Sequence, residues 1–391
     1  MKQQVIEEFQ QEYGRSPQVI ARAPGRLEIL GNHTDYNEGV VLSVAVDRET
    51  FVAVAAKPGQ TTCRLKSLAD GSIRTFELDQ LDNPEVGDWE NYIKGVVAEL
   101  QQRGIVIPAF DAAILSSVPM SAGMSSSAAL EIATALALGQ LAGVSLPWLE
   151  WARIGQGAEN NYVGAKTGLM DQFSSIKGRQ GQLVFSDFRT LEVRNVPLPP
   201  GTALVVANSM VKHTLTGEYN ERRERCEEAV AVLQKSFNDI VALRDVTREQ
   251  LEGCRDGMDP VTYRRALHVV GENERVFSGV AALQDNDLAV FGRLMFESQE
   301  SSRVNFENSC PELDLLVEIG KSLPGAIGAR LSGGGFGGIS VHLVYEAEAE
   351  NYSRLLASEY EKRTGLKTEV MICQAAEGAG VYTDAGTKIM N

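Results

Sequence analysis

The sequence predicts an α+β protein that folds as two domains. A chain of 391 residues is longer than a single hydrophobic core usually supports, so the length indicates two domains. Segments with the two-residue period of strands and segments with the 3.6-residue period of helices are mixed along the chain. They do not follow the strict β-α-β alternation of a doubly wound sheet, and this order favours the α+β class.

The first 180 residues contain the elements of a predicted N-terminal domain. An amphipathic helix covers 3–13, and alternating β-branched residues predict strands on both sides of a turn at 31–39. Ile93, Val96 and Leu100 recur at helical spacing and predict a helix over 89–102. The other predicted elements are a strand at 109–119 and helices at 128–142 and 148–163.

The rest of the chain returns to strands and then becomes mainly helical. The predicted strands lie at 181–188, 191–200 and 202–209, and the predicted helices at 218–237, 264–283, 288–303, 310–322 and 346–363, with a glycine-rich turn and a strand at 329–344 and closing strands at the end. We predict an N-terminal domain at 1–180 and a C-terminal domain at 181–374, with terminal strands in 375–391 packed on the first domain.

Composition restricts the class of function. The chain has 52 acidic and 37 basic residues, and its net charge of −15 argues against a nucleic-acid binder or a protein that binds anionic membranes. The five cysteines are scattered without a CxxC pair, so neither a zinc site nor a disulfide framework is indicated. The N-terminal segment is polar, and no apolar run reaches the roughly 18 residues that span a bilayer. We therefore expect a cytoplasmic protein, and no sequence pattern indicates a partner interface, so we expect a monomer.

A serine-rich turn is the strongest local indication of chemistry. A strand ends before this turn, and a long apolar helix follows it. Small residues let a ligand approach the backbone, and the free N–H groups of a helix N-terminus bind phosphate. The turn is neither a Walker A loop nor a dinucleotide-binding fingerprint, and a merely serine-capped helix is the structural alternative. The predicted phosphate-binding residues are Ser121, Ala122, Gly123, Met124, Ser125, Ser126 and Ser127.

Two further segments have unusual composition. Five glycines surround Phe336 within 333–338, and so many glycines favour close approach to a ligand or to another backbone over a simple turn. The segment 23–43 concentrates polar side chains that can both donate to and accept from sugar hydroxyls, namely Arg26, Asn32, His33, Asp35, Tyr36 and Asn37.

Asp171 lies between apolar neighbours, so its carboxylate needs a partner, for which Arg26 is the natural candidate. A satisfied polar loop and a turn-capping Asp171 are the structural alternatives.

Together these segments resemble the GHMP kinase superfamily and, within it, the galactokinases. The resemblance rests on APGR and GNHTDYNEGVVLSVAVD, on VPMSAGMSSSAALE and on LSGGGFGG, with GEYNERRERCEEA, SCPELDLLV and DWENYIKGVVAEL as galactokinase-like segments. It implies a two-domain GHMP kinase fold whose active site lies in the cleft between a mixed α/β N-terminal domain and a ferredoxin-like C-terminal domain. It also implies ATP-dependent phosphorylation of a sugar, first of all D-galactose, at the anomeric hydroxyl.

The resemblance also assigns roles to individual residues. Asp171 matches the catalytic aspartate, and Arg26 matches the arginine that pairs with it. The matches to sugar contacts are Asn32, His33, Asp35, Gly168 and Tyr219. Trp89 matches a residue that packs on adenine, and Gly334 and Gly335 lie in the loop that closes over the site. Ser127, with Ser126 as its alternative, and Glu159 match ligands of Mg²⁺.

Two positions depart from the galactokinase pattern. Galactokinases usually have glutamate where this chain has Asn32, and asparagine where it has Glu28. An amide at position 32 removes a charged acceptor, and a hydrogen-bonding site discriminates sharply among hydroxyl patterns. Another hexose, a uronic acid or an acetamido sugar is therefore the alternative substrate. A non-catalytic sensor of ATP and sugar, and a kinase of mevalonate or homoserine, are further alternatives that the intact serine turn and the NHTDYN segment argue against.

Overall fold

The computed structural model describes residues 1–81, 84–85, 87–119, 123–211, 216–383 and 386–389. Within this part of the chain, two sheets and their helices pack side by side. The α+β class predicted from the sequence is confirmed. None of the described helices is both long and apolar enough to cross a membrane.

The first sheet has nine strands among the described residues, and it is antiparallel except where β3 runs parallel to β5. Its main path is β13-β12-β1-β2-β5-β3-β4, and β6 pairs with β2 and then with β7. The strands are β1 (Val19–Leu30), β2 (Val40–Ala56), β3 (Thr62–Ser67), β4 (Ile73–Glu77), β5 (Phe110–Ser116), β6 (Gln182–Asp187), β7 (Glu192–Pro197), β12 (Gly380–Thr383) and β13 (Gly386–Ile389).

Helices cover both faces of this sheet. The helix α1 (Lys2–Tyr13) buries Val5 and Phe9 against the β2–β5 face. The other helices of this half are α2 (Glu90–Gln102), α3 (Ser126–Leu141), α4 (Trp148–Gly157), which continues as a π-helical turn (Ala158–Val163), and α5 (Met170–Lys177). The helix α3 is apolar around most of its circumference because it packs against α2, α4, α5 and the sheet. Its position fixes the serine-rich N-terminus beside β1.

The second sheet has four antiparallel strands in the order β11-β8-β10-β9. Its strands are β8 (Thr202–Asn208), β9 (Ala326–Ser332), β10 (Ile339–Tyr345) and β11 (Val370–Cys373). The helices of this half are α6 (Thr216–Leu233), α7 (Arg248–Gly253), α8 (Pro260–Gln284), α9 (Leu288–Ser301), which continues as a π-helical turn (Ser302–Phe306), α10 (Pro311–Ser322) and α11 (Ala349–Thr364).

Alternation along β8 explains how the two sheets join. Ala203, Val205 and Ala207 face α10 and α11, whereas Leu204 and Val206 share a cluster with Leu27 and Ile29 of β1. One hydrophobic cluster therefore connects the strand β1 to the second sheet. The polar residues of β1 and the loops around it lie at this junction.

Several elements differ from the sequence prediction. The strands β3 and β4 were not predicted, because only Cys63, Leu65 and Phe76 among their residues are buried apolar side chains. The segment before the glycine cluster was predicted as a turn, but it forms β9. Residues 182–197 pair with the first sheet, and the second sheet begins at Thr202. The predicted domain limits at 180 and 374 stay a prediction.

Candidate active site

A cavity of about 220 Å³ opens where β1, the turn after it, α5, α6 and the glycine-rich loop meet. It is smaller than the roughly 300–1,000 Å³ of pockets that hold drug-sized ligands. Its wall brings together most of the residues that the sequence predicted for catalysis and sugar binding, which are Arg26, Asn32, His33, Asp35, Gly168, Asp171 and Tyr219, together with Gly334 of the loop. These residues come from positions up to 308 apart in the numbering, so the fold assembles the site.

Arg26 and Asp171 form an ion pair in this wall. Arg26 lies in β1, and Asp171 lies in the first turn of α5. Arg26 Nε donates to Asp171 Oδ1 over 2.7 Å, and Nη1 donates to the Gly123 carbonyl over 2.5 Å. Burial lowers the pKa of Arg26, but the adjacent Asp171 charge outweighs this effect and raises it above the ordinary value. The Ser125 hydroxyl donates to the second Asp171 oxygen, so the carboxylate is held from two sides.

The turn that follows β1, residues 31–39, is hereafter called the sugar turn, because the sequence predicts sugar contacts in it. Glu272 of α8 anchors it, because Glu272 Oε2 accepts from the backbone N–H groups of Gly31 and Asn32, each over 2.9 Å. His33 Nε2 lies 3.2 Å from the Gly334 carbonyl and therefore carries the proton, so that Nδ1 accepts from the Tyr36 hydroxyl over 2.8 Å. Burial lowers the pKa of His33 to about 4, so this ring is neutral near pH 7.

Asp35 and Gly168 face each other across the cavity wall. A Cβ atom on Gly168 would lie 1.9 Å from Asp35 Oδ2, so only glycine leaves room for the carboxylate there. Burial raises the pKa of Asp35 to about 7. Tyr219 of α6 adds an aromatic wall, with its ring centroid 5.1 Å from that of His33. A carboxylate beside aromatic rings is an arrangement that suits a polyhydroxyl ligand.

Asn32 has few free hydrogen-bonding groups for a ligand. Its Nδ2 donates to Glu28 Oε1 and to the Gly333 carbonyl, each over 2.9 Å, and its Oδ1 accepts from Asn308 Nδ2 over 2.9 Å. The residue is 1% exposed, although it belongs to the cavity wall. Its visible role is to connect the sugar turn to the glycine-rich loop.

The N-terminus of α3 lies beside Asp171. Ser125, at φ 54°, precedes the helix but does not cap it with its side chain, because its hydroxyl is directed to Asp171. The first-turn N–H groups, which include those of Ser126 and Ser127, have no intrahelical acceptors and can bind an anion. Gly123 has φ 74°, and the Met124 side chain is buried in the core while its carbonyl accepts from Arg26 N. Ser121 and Ala122 lie outside the described residues.

Ser127 in the first turn of α3 contacts Glu159 in the π-helical turn that follows α4. Ser127 Oγ donates to Glu159 Oε1 over 2.7 Å, and the other carboxylate oxygen accepts from Thr167 Oγ1 and Gln172 Nε2. All three donors are neutral. Burial, followed by the charge of Asp171, raises the pKa of Glu159. A carboxylate in this setting would be stabilised by a cation.

The glycine-rich loop at 333–338 is tied to the sugar turn and to Asn308. Asn308 Nδ2 donates to the Gly334 carbonyl over 3.2 Å, and Phe336 N donates to the Asn308 carbonyl over 2.6 Å. Gly335 has φ 85°, and a Cβ atom there would lie 2.0 Å from the Asn308 carbonyl oxygen. Both the left-handed backbone and the close approach therefore require glycine.

We expect Gly335→Ala to reduce kcat/KM for ATP by at least tenfold and to lower the thermal midpoint, because the loop must move away from Asn308. Gly59→Ala is the matched control, since Gly59 also has positive φ, at 75°, but has nothing within 4 Å of the added atom. The control should lose only the roughly 1 kcal/mol of a strained alanine. Equal losses in the two variants, measured by kinetics and calorimetry, would contradict the close-approach explanation.

Trp89, the predicted adenine contact, is not among the residues that line this cavity. It precedes α2 and is partly buried against the core of the first sheet. Its indole Nε1 is buried without a hydrogen-bond partner in the described part of the chain. The predicted contact with adenine stays a prediction.

The structure adds residues that the sequence analysis did not assign to the site. Glu28, Thr167, Asn220 and Gly333 also line the cavity. Glu28 could have been found from strand periodicity, because it lies two residues after Arg26 in β1 and therefore on the same face. Asn308 and Arg330 contact this wall through Asn32 and Glu28, and no local pattern indicates either of them.

Comparisons with known proteins first define the class. Two GHMP kinase models are among the family models that match: the GHMP kinases N terminal domain over residues 91–179 and the GHMP kinases C terminal over 280–362. The fold agrees, since the mevalonate kinase of Methanococcus jannaschii superposes with a TM-score of 0.63 at 19% identity over 92% of this chain and 98% of that one. The chain has the fold of a GHMP kinase.

Closer relatives then define the family. The galactokinase galactose-binding signature matches residues 7–56. A galactokinase of Roseiflexus sp. (strain RS-1) is 42% identical over 97% of this chain and 96% of its own, and one of Actinobacillus pleuropneumoniae serotype 5b (strain L20) is 40% identical over 96% and 98%. The crystal structure of Lactococcus lactis galactokinase complexed with galactose has a TM-score of 0.92 at 30% identity, covering 97% of this chain and 99% of that one. The chain belongs to the galactokinase family, as its sequence motifs predict.

Proposed function

We propose that this protein transfers the γ-phosphoryl group of ATP to the anomeric hydroxyl of D-galactose. The observation that carries the proposal is the Arg26–Asp171 ion pair, which lies in the wall of a small cavity next to the uncapped N-terminus of α3. This arrangement places a proton acceptor beside a group of N–H donors suited to phosphate. Full-length similarity to galactokinases supports both ATP and galactose as substrates.

The proposed reaction needs little covalent chemistry from the protein. The sugar hydroxyl gives its proton to Asp171, its oxygen bonds to the γ-phosphorus, and ADP leaves with the electrons of the broken P–O bond. The Arg26 charge holds Asp171 in place through their ion pair and stabilises the negative charge that develops on the attacking oxygen. The first-turn N–H groups of α3 hold phosphate oxygens in position, and positioning of this kind supplies much of the rate in phosphoryl transfer.

We propose His33, Asp35, Gly168 and Tyr219 as sugar-binding residues, in line with the sequence prediction. Asn32, also predicted to contact the sugar, lies in the same cavity wall but uses its hydrogen-bonding groups within the protein. Asp35 supports this assignment because its carboxylate lies in the wall of the cavity, with space maintained by Gly168. For the nucleotide, we propose the segment 121–127, Gly334 and Gly335, and Trp89 beside adenine. The bonds of the glycine loop to Asn32 and Asn308 support this assignment, because they hold Gly333 and Gly334 in the cavity wall.

The residues present fit a magnesium ion that arrives with ATP. The described residues contain no cluster of three or more His, Cys, Asp or Glu side chains that could hold a metal. Mg²⁺ does not require such a cluster, because in kinases one or two carboxylates and the phosphates hold it. Ser127 and Glu159 would hold the ion, and Glu159 now receives hydrogen bonds from neutral donors only. When bound, the ion neutralises phosphate charge during transfer.

We expect turnover to disappear when EDTA removes divalent cations and to return when Mg²⁺ is added in excess. Glu159→Gln should raise the Mg²⁺ concentration needed for half-maximal rate by at least tenfold, because it removes the charged ligand. Glu150→Gln is the control, since Glu150 pairs with Arg153 on the exposed part of α4. An unchanged Mg²⁺ dependence in Glu159→Gln would exclude this carboxylate as a ligand.

A panel of monosaccharides tests the substrate. With MgATP and a coupled assay for ADP, galactose should give the highest kcat/KM among galactose, glucose, galacturonic acid, N-acetylgalactosamine and other hexoses. Another sugar that exceeds galactose tenfold or more would keep the kinase class and overturn the choice of galactose. No turnover on any member of the panel would overturn the proposed function.

We further propose that the protein is a monomer, acts in the cytoplasm and does not bind nucleic acid. The net charge of −15 supports the last point, because a strongly acidic surface repels a polyphosphate backbone. Scattered cysteines in odd number favour a reducing compartment. Light scattering on the purified protein measures the oligomeric state directly.

A further inference from the structure

Glu28 and Asn32, the two positions that depart from the galactokinase pattern, are in direct contact. Asn32 Nδ2 donates to Glu28 Oε1 over 2.9 Å, and both residues line the cavity that holds Arg26 and Asp171. The pair consists of one carboxylate and one amide, in contact within the cavity wall.

A buried arginine makes the number of carboxylates in this pair important. Arg330 of β9 is 0% exposed, and its Nη1 donates to Glu28 Oε1 over 2.7 Å. Its Nε and Nη2 are buried and have no hydrogen-bond partner in the described part of the chain. Loss of the carboxylate would leave a buried cation without its anion, and a second carboxylate beside the first would add like-charge repulsion. One carboxylate in the pair is the arrangement that balances Arg330.

The two side chains do different things. Glu28 Oε1 accepts hydrogen bonds from both Arg330 and Asn32. Glu28 Oε2 has no hydrogen-bond partner among the described residues, and it is not among the fully buried atoms without a partner. Because Glu28 is part of the cavity wall, Oε2 is the acceptor that it can present to a ligand. Asn32 Nδ2 also donates to the Gly333 carbonyl, and its Oδ1 accepts from Asn308 Nδ2. Asn32 therefore holds the glycine-rich loop in place.

We propose that Glu28 and Asn32 act as one carboxylate–amide unit that determines sugar specificity: Glu28 supplies an acceptor for a sugar hydroxyl, and Asn32 positions the glycine-rich loop against the sugar turn. This inference rests on the proposed function, since it assigns the cavity to the sugar. It makes Glu28 a sugar-binding residue and Asn32 chiefly a positioning residue. It also predicts that the two side chains are interchangeable only as a pair.

A double-mutant cycle tests the unit with four proteins: the wild type, Glu28→Asn, Asn32→Glu and the double exchange. Each single variant should raise KM for galactose by at least tenfold, because the carboxylate count becomes zero or two. In the double exchange the pair again consists of one carboxylate and one amide, so KM for galactose should return to within about fivefold of the wild type. The Kd for galactose, measured by calorimetry, should follow KM, whereas KM for ATP should stay within about threefold in the double exchange.

A second pair of the same kind provides the control. Glu99 accepts from Asn161 Nδ2 over 2.8 Å and from Arg103, and none of these residues lines the cavity. Glu99→Asn should leave KM for galactose unchanged even if it lowers the thermal midpoint. If Glu28→Asn does not fold, the isosteric Glu28→Gln replaces it, and its KM for galactose should still rise by at least tenfold.

Two results would overturn the inference. One is additivity, in which the double exchange loses the product of the two single losses. The other is an unchanged KM for galactose in Glu28→Gln. Both are distinct from failure of the proposed function, which would appear in the wild type as no phosphorylation and no binding of galactose.

Discussion

Asp171→Asn should lower kcat by about 10²–10⁴-fold while galactose binding stays measurable, because general-base catalysis contributes about that much. The amide keeps the size of the carboxylate, so Arg26 and Ser125 can stay in place, but it cannot accept the hydroxyl proton. The coupled ADP assay measures kcat, and calorimetry with galactose measures the affinity. A large loss of kcat with retained affinity would identify Asp171 as the group that acts on the proton.

Asp111→Asn is the matched control for this prediction. Asp111 is also an aspartate that pairs with an arginine, Arg15 over 2.7 Å, but it is buried on β5 and does not line the cavity. Its kcat should stay within about twofold of the wild type.

Two outcomes would contradict the proposed role of Asp171. A fully active Asp171→Asn protein would remove Asp171 from the proposed reaction. A wild-type protein that binds ATP and galactose but gives no ADP would favour the sensor alternative.

Arg26→Lys should lower kcat by about 10²-fold or more, since it loses hydrogen bonds of about 1.5–3 kcal/mol each to a charged partner. The guanidinium bonds to Asp171 and to the Gly123 carbonyl at once, and a single ammonium on a flexible stem does not reproduce this fork. Arg26→Met should in addition destabilise the fold by about 3–5 kcal/mol, because it leaves Asp171 without its ion-pair partner. Steady-state kinetics and denaturant unfolding measure the two effects.

Arg22→Lys is the control for Arg26→Lys. It shows how much of any loss comes from replacing a buried, paired arginine of β1 and how much is specific to Arg26. Arg22 is also buried and paired, with Glu49, but it lies four residues earlier and outside the cavity. Its substitution should affect stability with little change in kcat. Equal losses of kcat in Arg22→Lys and Arg26→Lys would show that β1 responds to any such change and would contradict a special role for Arg26.

The sequence predicted the fold well where periodicity was strong. The helix α3 and the long strands β1 and β2 are rich in buried apolar residues, so their patterns are unambiguous. The strand β9 was missed because Arg330 and Ser332 interrupt its apolar pattern and a glycine run follows. Those polar residues are buried through partners in β1, and such partners are not visible in a local window.

The same limit applies to the site. Residue type and charge were enough to predict the pairing of Arg26 with Asp171, because a carboxylate in an apolar segment needs a cation. No local pattern indicated that the Asn32 side chain would form hydrogen bonds with Glu28, Gly333 and Asn308. Two of these partners lie 276 or more positions away in the sequence. The sequence identified the polar residues of the site, and the tertiary contacts determined which of them remain free to bind a ligand.

The pairing of β1 with β12 has a consequence for synthesis on the ribosome. Ile20 of β1 pairs with Tyr382 of β12, so the strand that carries Arg26 gains its second neighbour only after that distant segment has been made. At about 5–20 residues per second, translation of the intervening chain takes roughly 20–70 s. During this interval one edge of β1 has no strand to pair with, and an unpaired edge can join another nascent chain. Protection of this edge of β1 is therefore completed late in synthesis, by residues 380–382.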